Sequence, residues 1–155
     1  MVSPDYIVGL TDGEGCFYVG VRSPKGDHKT TRVEPHFYIK LKGDDFHLLE
    51  EVKQAFGCGA IYYQNEKRIN HSACYRFEIN SLKDLRDKLI PFFEKHPLHS
   101  KKQREFKIFQ TIFKLVENKE YKTKKGLEKV KKLKLMMNHR ARWVREIRLP
   151  SGNGK

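Results

Sequence analysis

The sequence predicts an α+β fold: one four-stranded antiparallel sheet with helices on one face, followed by additional C-terminal helices. Two observations predict it. Apolar residues recur at spacings of three and four in some stretches and alternate strictly in four others. These stretches run in the order helix, strand, strand, helix, strand, strand, helix, with extra helical segments behind.

Ser3 and Pro4 open the first helix, serine as N-cap and proline at the first helical position, and the helix runs to about Gly13. From Cys16 the period becomes two: Phe17, Val19 and Val21 point one way, and Cys16, Tyr18, Gly20 and Arg22 the other. SPKGDHKTT, residues 23–31, reads as a polar hairpin loop. The second strand is expected from Pro35 to Lys42, with Tyr38, Lys40 and Lys42 opposite Phe37, Ile39 and Leu41. Asp44 should cap a helix carrying Phe46, Leu49, Val52 and Phe56, which Gly57 ends. Strands over about 60–64 and 73–80 flank the polar loop NEKRINHSA. In the last strand Phe77 and Ile79 share one face, Arg76 and Glu78 the other. Ser81 with Asp84 marks the next helix start, to about Glu94. Beyond Pro97 come a helix striped by Phe106, Phe109, Ile112, Phe113 and Val116, and a last one, from about Lys124, with Leu127, Val130, Leu133 and Met137.

The 155 residues suit one domain, and no apolar run approaches the length of a membrane span. MVSPDYIV has no signal-peptide pattern. The three cysteines lack a paired spacing, which points to a reducing compartment rather than a disulfide framework or a zinc site. The net charge of +13 is uneven: residues 1–100 hold 14 basic and 14 acidic side chains, whereas residues 101–155 hold 18 basic and 5 acidic. A solvated basic helix face is the plain reading, but an excess this large favours a polyanion partner through counterion release. The polar sheet face is basic and aromatic: Tyr18, Arg22, Tyr38, Lys40, Lys42, Tyr62, Gln64 and Arg76 suit phosphates and base edges.

The junction IVGLTDGEG, residues 7–15, raises a sharper question. Glycine inside a helix costs about 1 kcal/mol relative to alanine. Gly9 and Gly13, four apart, lie on one helix face, as if another backbone packs there closely. Glu14 stands at the C-terminal end, where the helix dipole disfavours an anion. If the helix pairs with a copy of itself, two Glu14 carboxylates meet, which requires a proton or a hard divalent cation such as magnesium.

This stretch resembles the nine-residue motif of the LAGLIDADG homing endonucleases, and the element order resembles their αββαββα core over roughly residues 4–118. Gly57-Cys58-Gly59-Ala60-Ile61, His96-Pro97-Leu98-His99-Ser100-Lys101-Lys102 before Phe106, and Lys125-Gly126-Leu127-Glu128 add local similarity. The chain departs from the family in carrying Glu14 where aspartate is usual, and Val8 and Thr11 where alanine and isoleucine are usual. The resemblance implies a core domain over 1–118 and a basic helical extension over 119–155 in the same unit. One motif copy implies a homodimer through Val8, Gly9, Asp12 and Gly13, with Asp12 an interface or a capping group, and therefore a near-palindromic target; the alternative is one half of a split two-copy enzyme.

The implied activity is a magnesium- or manganese-dependent staggered double-strand break in DNA. Glu14 and the Gly13 carbonyl would hold metal, and Lys102, or Lys101, would stabilise developing charge. The saddle-shaped sheet would read the major groove. Lys25, His28, Lys29, Arg32, Lys67 and Arg68 are loop candidates for outer contacts. Trp143 reads as a packing anchor. The alternative on the same fold is a non-cleaving module, an intron RNA maturase or a DNA-binding regulator. No membrane role is expected. The resemblance suggests a mitochondrial or chloroplast intron product, or otherwise a microbial cytoplasmic one.

Overall fold

A computed structural model describes residues 1–137 other than 66, 68 and 70–72. Helix α1 spans Pro4–Glu14; the Tyr6 amide donates to Ser3 Oγ at 3.2 Å, the cap that Ser3-Pro4 predicts. Its buried side is Ile7, Val8 and Thr11. At Gly15 the chain leaves the helix directly into strand β1, Gly15–Arg22, while the Gly15 amide still donates to the Thr11 carbonyl. A Cβ at Gly15 would lie 2.6 Å from the Thr11 methyl group and 2.9 Å from its backbone, so only glycine fits there.

Strand β2, Arg32–Lys42, starts three residues before the expected Pro35, and β1 pairs with it from Gly15–Ile39 to Arg22–Arg32. Proline is tolerated within it because pairing with the next strand ends at Phe37–Ile79, leaving position 35 facing no strand on that side. Helix α2, Phe46–Phe56, follows a 3₁₀ turn over Gly43–Asp45. Its N-cap is Asp45, with no side-chain hydrogen bond, where Asp44 was expected. Gly57 closes it at φ 65° in the left-handed region, and Lys88 Nζ donates to the Gly57 carbonyl at 2.5 Å. Strands β3, Ala60–Gln64, and β4, Cys74–Ile79, complete a fully antiparallel sheet in the order β1-β2-β4-β3.

After β4 the chain turns through α3, Leu82–Asp84, a π-helical turn over Leu85–Leu89, and α4, Ile90–Lys95. The Asp84 amide donates to Ser81 Oγ at 3.3 Å. Pro91 explains the widened turn: it has no N–H to give, and its ring crowds the carbonyl one turn back. The Ile90 amide accordingly reaches back five residues, to Leu85. Helix α5, Lys102–Glu117, lies against β1 and β2, and α6, Lys124–Met137, packs along α5 with Val130 fully buried.

The core fills the space between helices and sheet. Phe17 sits at its centre, with the rings of Phe37, Phe93, Phe106 and Phe109 at centroid distances of 5.2–5.5 Å. With one sheet face thus sealed, alternation sends every second strand residue to the opposite face.

Candidate nucleic-acid interface and cleavage centre

The register sorts the expected polar-face residues into cross-strand rows. Arg22 pairs with Arg32, Tyr18 with His36, Cys16 with Tyr38, and Tyr38 with Glu78. Next come Lys40 with Arg76 and Arg76 with Tyr62, then Lys42 with Cys74 and Cys74 with Gln64. All eight sheet candidates therefore share one face. Lys25, His28 and Lys29 are exposed on the β1–β2 loop, where Lys25 and His28 exchange backbone hydrogen bonds of 3.0 and 3.2 Å around Gly26. Lys67 is exposed; Arg68 and Trp143 lie outside the described residues.

The face is less uniformly cationic than its basic members suggest. Glu34 accepts from Arg22 Nε at 2.8 Å and lies 3.4 Å from Arg32 Nη1. Glu78 lies 2.6 Å from His36 Nδ1 and 2.8 Å from Arg76 Nη2. The Arg76 guanidinium sits 3.9 Å over the Tyr38 ring, so Tyr38 supports an arginine rather than presenting that side of its ring to a partner. Burial, then the hydrogen bond and charge of Cys16, push the Tyr38 phenol up to about 12, so it stays a neutral hydroxyl at working pH. Lys134 of α6 approaches the Tyr18 ring at 5.3 Å, bringing the basic C-terminal helix to the edge of this face. Glu34, His36 and Glu78, not among the residues expected at the site, share this face by strand parity and register.

At the α1–β1 junction, Asp12 acts as a capping group, one of the two roles expected for it. Its carboxylate accepts from the His99 amide and the Ser100 amide at 3.0 Å each and from Ser100 Oγ at 2.6 Å. Burial alone would raise this carboxyl; hydrogen bonds from the Ser100 side chain and the two amides outweigh it and hold it below its usual value. Asp12 thus pins the turn before α5 to the end of α1. Lys102, at the start of α5, is 8% exposed, and its Nζ donates to the Gly15 carbonyl at 2.5 Å. Lys101 is solvent-exposed one residue earlier. The fold thus brings Lys102, and not Lys101, against the junction.

Glu14 is exposed at the end of α1 and, among the described residues, is engaged by no hydrogen bond or ion pair. A Cβ at Gly9 or at Gly13 would meet nothing within 4 Å, so no packing among the described residues calls for glycine at either position. Val8 corrects the expected interface set: it is 4% exposed and packed into the chain's own core, so the outward face falls to Gly9 and Gly13, with Tyr6 beside them. Among the described residues no three metal-ligating side chains cluster, and no helix is long and apolar enough to cross a membrane.

This geometry has counterparts of known kind. A probable intron-encoded endonuclease 3 of Neurospora crassa is 34% identical over 139 residues, covering 88% of this chain and 25% of that protein. An uncharacterized 50.9 kDa protein in ND4 intron 1 of Podospora anserina is 30% identical over 125 residues, 79% of this chain and 26% of that one. The chain thus spans about a quarter of the length of the curated relatives it matches. Among solved structures, the homing endonuclease I-TnaI superposes with a TM-score of 0.75 at 37% identity, covering 95% of this chain and 99% of that one. I-SmaMI bound to uncleaved DNA target in the presence of calcium ions superposes with a TM-score of 0.79 at 31% identity, covering 89% of this chain but 45% of that one. Residues 7–113 match the LAGLIDADG endonuclease family, and with the fold and the junction at 7–15 the conclusion is plain: the chain belongs to the LAGLIDADG homing endonuclease family.

Proposed function

We propose that the chain acts as a homodimer that makes a divalent-metal-dependent, staggered double-strand break in a long, near-palindromic DNA site. The observation that carries this reading is Glu14, an exposed acid without a partner among the described residues, beside two glycines that packing among those residues does not need. A second copy of α1 across Gly9 and Gly13 accounts for the glycines and brings two Glu14 side chains together. The match to DNA-bound I-SmaMI supports the dimer: the matched part is 45% of that protein, which leaves there the length of a second such unit.

The donor set fits a hard cation. Glu14 offers a carboxylate, and the last carbonyls of α1 have no helical N–H left to accept from. Among the described residues one chain has no three-ligand cluster, and a second copy would add its own Glu14 to the oxygen set. Glu14 and the Gly13 carbonyl would hold magnesium or manganese, which when bound supplies Lewis-acid chemistry at the scissile phosphate. The chain's own residues do the rest. Lys102 holds a fixed ammonium at the Gly15 carbonyl, suited to developing negative charge. Asp12 keeps the segment bearing Lys102 docked. Arg22, Arg32, Lys40, Lys42, Tyr62, Gln64 and Arg76 line the groove-facing sheet, and Lys25, His28, Lys29, Lys67 and Arg68 serve the outer positions. The core over 1–118 and the basic extension over 119–155 act as one unit, the latter gripping flanking backbone. Because the curated relatives named above are intron-encoded or lie in an intron, we assign the chain the same kind of origin, in an organelle.

Glu14→Gln tests the reading. It removes one ligand and little contact area, so cleavage of a selected target with magnesium should vanish while binding stays within about tenfold. Wild-type protein that gives no magnesium-dependent linear product from any site library would favour the non-cleaving module instead.

A further inference from the structure

A face built to meet phosphates has an unexpected member in Glu78. Its side chain is 9% exposed, and three donors converge on it: His36 at 2.6 Å, Arg76 at 2.8 Å and Asn80 Nδ2 at 3.3 Å. Sunk beneath its donors, the carboxylate does not project toward a polyanion. Its effect falls on Arg76, whose guanidinium lies over the Tyr38 ring at 3.9 Å and is tied to Glu78 while its side chain keeps 24% exposure. Arg76 Nε is buried and makes no hydrogen bond, so the ring below and the carboxylate beside it set the orientation of the fork. Glu78 also offsets the charge of Arg76, which weakens indiscriminate attraction to phosphate and leaves geometry as the larger part of what the arginine offers. Arginine presenting a fixed fork is the commonest reader of guanine O6 and N7.

We propose that Glu78 is a positioning residue for base readout, holding Arg76 as a guanine-reading fork at the centre of the sheet. This rests on the reading of the face as a DNA-groove surface and deepens it, by naming a base and the residue that sets its discrimination.

The test is selection from a randomised duplex library by wild type, Arg76→Lys, Glu78→Gln and Glu78→Ala, together with binding to a fixed random-sequence duplex. Wild type should show a guanine preference that Arg76→Lys flattens at one position in each half-site. Glu78→Gln, which keeps an acceptor but loses the charge, should reduce the preference at that same position, and Glu78→Ala should reduce it further, on the order of tenfold. Both should bind the random duplex more tightly than wild type at low salt. If Glu78→Ala does not fold, Glu78→Gln decides alone. A wild-type guanine preference that survives Glu78→Gln, or a loss at a position other than the one Arg76→Lys flattens, overturns the proposal and leaves the DNA-groove reading standing. Lowered thermal stability with an unchanged profile means a purely structural role and also overturns it. Wild type that binds no duplex, or all duplexes equally, overturns the groove reading as well.

Discussion

Two acids end the first helix, and their surroundings separate them. Asp12 is held by three hydrogen bonds below its usual carboxyl value, so its contribution to folding is complete above pH ~3.8 and fades as pH falls through the folded value. Asp12→Ala should cost about 1–2 kcal/mol at neutral pH, and its stability curve should converge on wild type in acid, read by denaturant unfolding across pH. The neighbouring lysines divide in the same way. Lys102→Met should slow single-turnover cleavage by about a hundredfold or more, as loss of one charge-stabilising donor does, whereas Lys101→Met should leave the rate within a few fold. Equal effects of the two substitutions would remove the basis for choosing Lys102. The sequence pointed to Glu14 and to both lysines, because they sit in motifs. It placed Val8 at the interface, although the same helix turn carries outward and inward residues and Thr11 and Val8 face the core. Glu78 went unnoticed for a related reason: parity put it on the right face, but only its three donors reveal what an acid does there.

Elements were legible wherever a period ran undisturbed. Both hairpins, the stripe of α5 and the Ser3 and Ser81 caps follow from spacing and turn chemistry alone. The early start of β2 did not, since proline reads as a strand boundary until the neighbouring ladder is known to stop short of it. The π-helical turn before Pro91 was invisible for the same kind of reason: a widened turn leaves no residue pattern of its own. At this scale Phe17→Ala should be the severe core lesion. It removes the ring that touches β2, α4 and α5 together, for about 3–5 kcal/mol by equilibrium unfolding. Gly9→Leu should do the reverse to the isolated chain. With open space at the Cβ, helix propensity improves by up to about 1 kcal/mol, yet self-association should fail, giving half the wild-type mass by sedimentation at matched concentration.

For the molecule as a whole, charge and architecture are arranged in series. The +13 excess arises entirely after residue 100, while the sheet face carries its cations partly paired with Glu34 and Glu78. Affinity and selectivity should therefore respond to different variables. Raising salt from 50 to 200 mM should weaken binding by orders of magnitude through released counterions, with base preference at the sheet positions largely kept. A flat salt profile in filter binding would reject the basic grip. The lone acid at position 14 has one more consequence. No side chain among the described residues leans on that carboxylate, so selection for a well-folded chain cannot see it. On the metal-holding role proposed for Glu14, a single nucleotide change there would silence scission yet leave behind a durable protein that still clasps its site. On that role, recurrent demand for the cut itself is what keeps such a residue in place over generations.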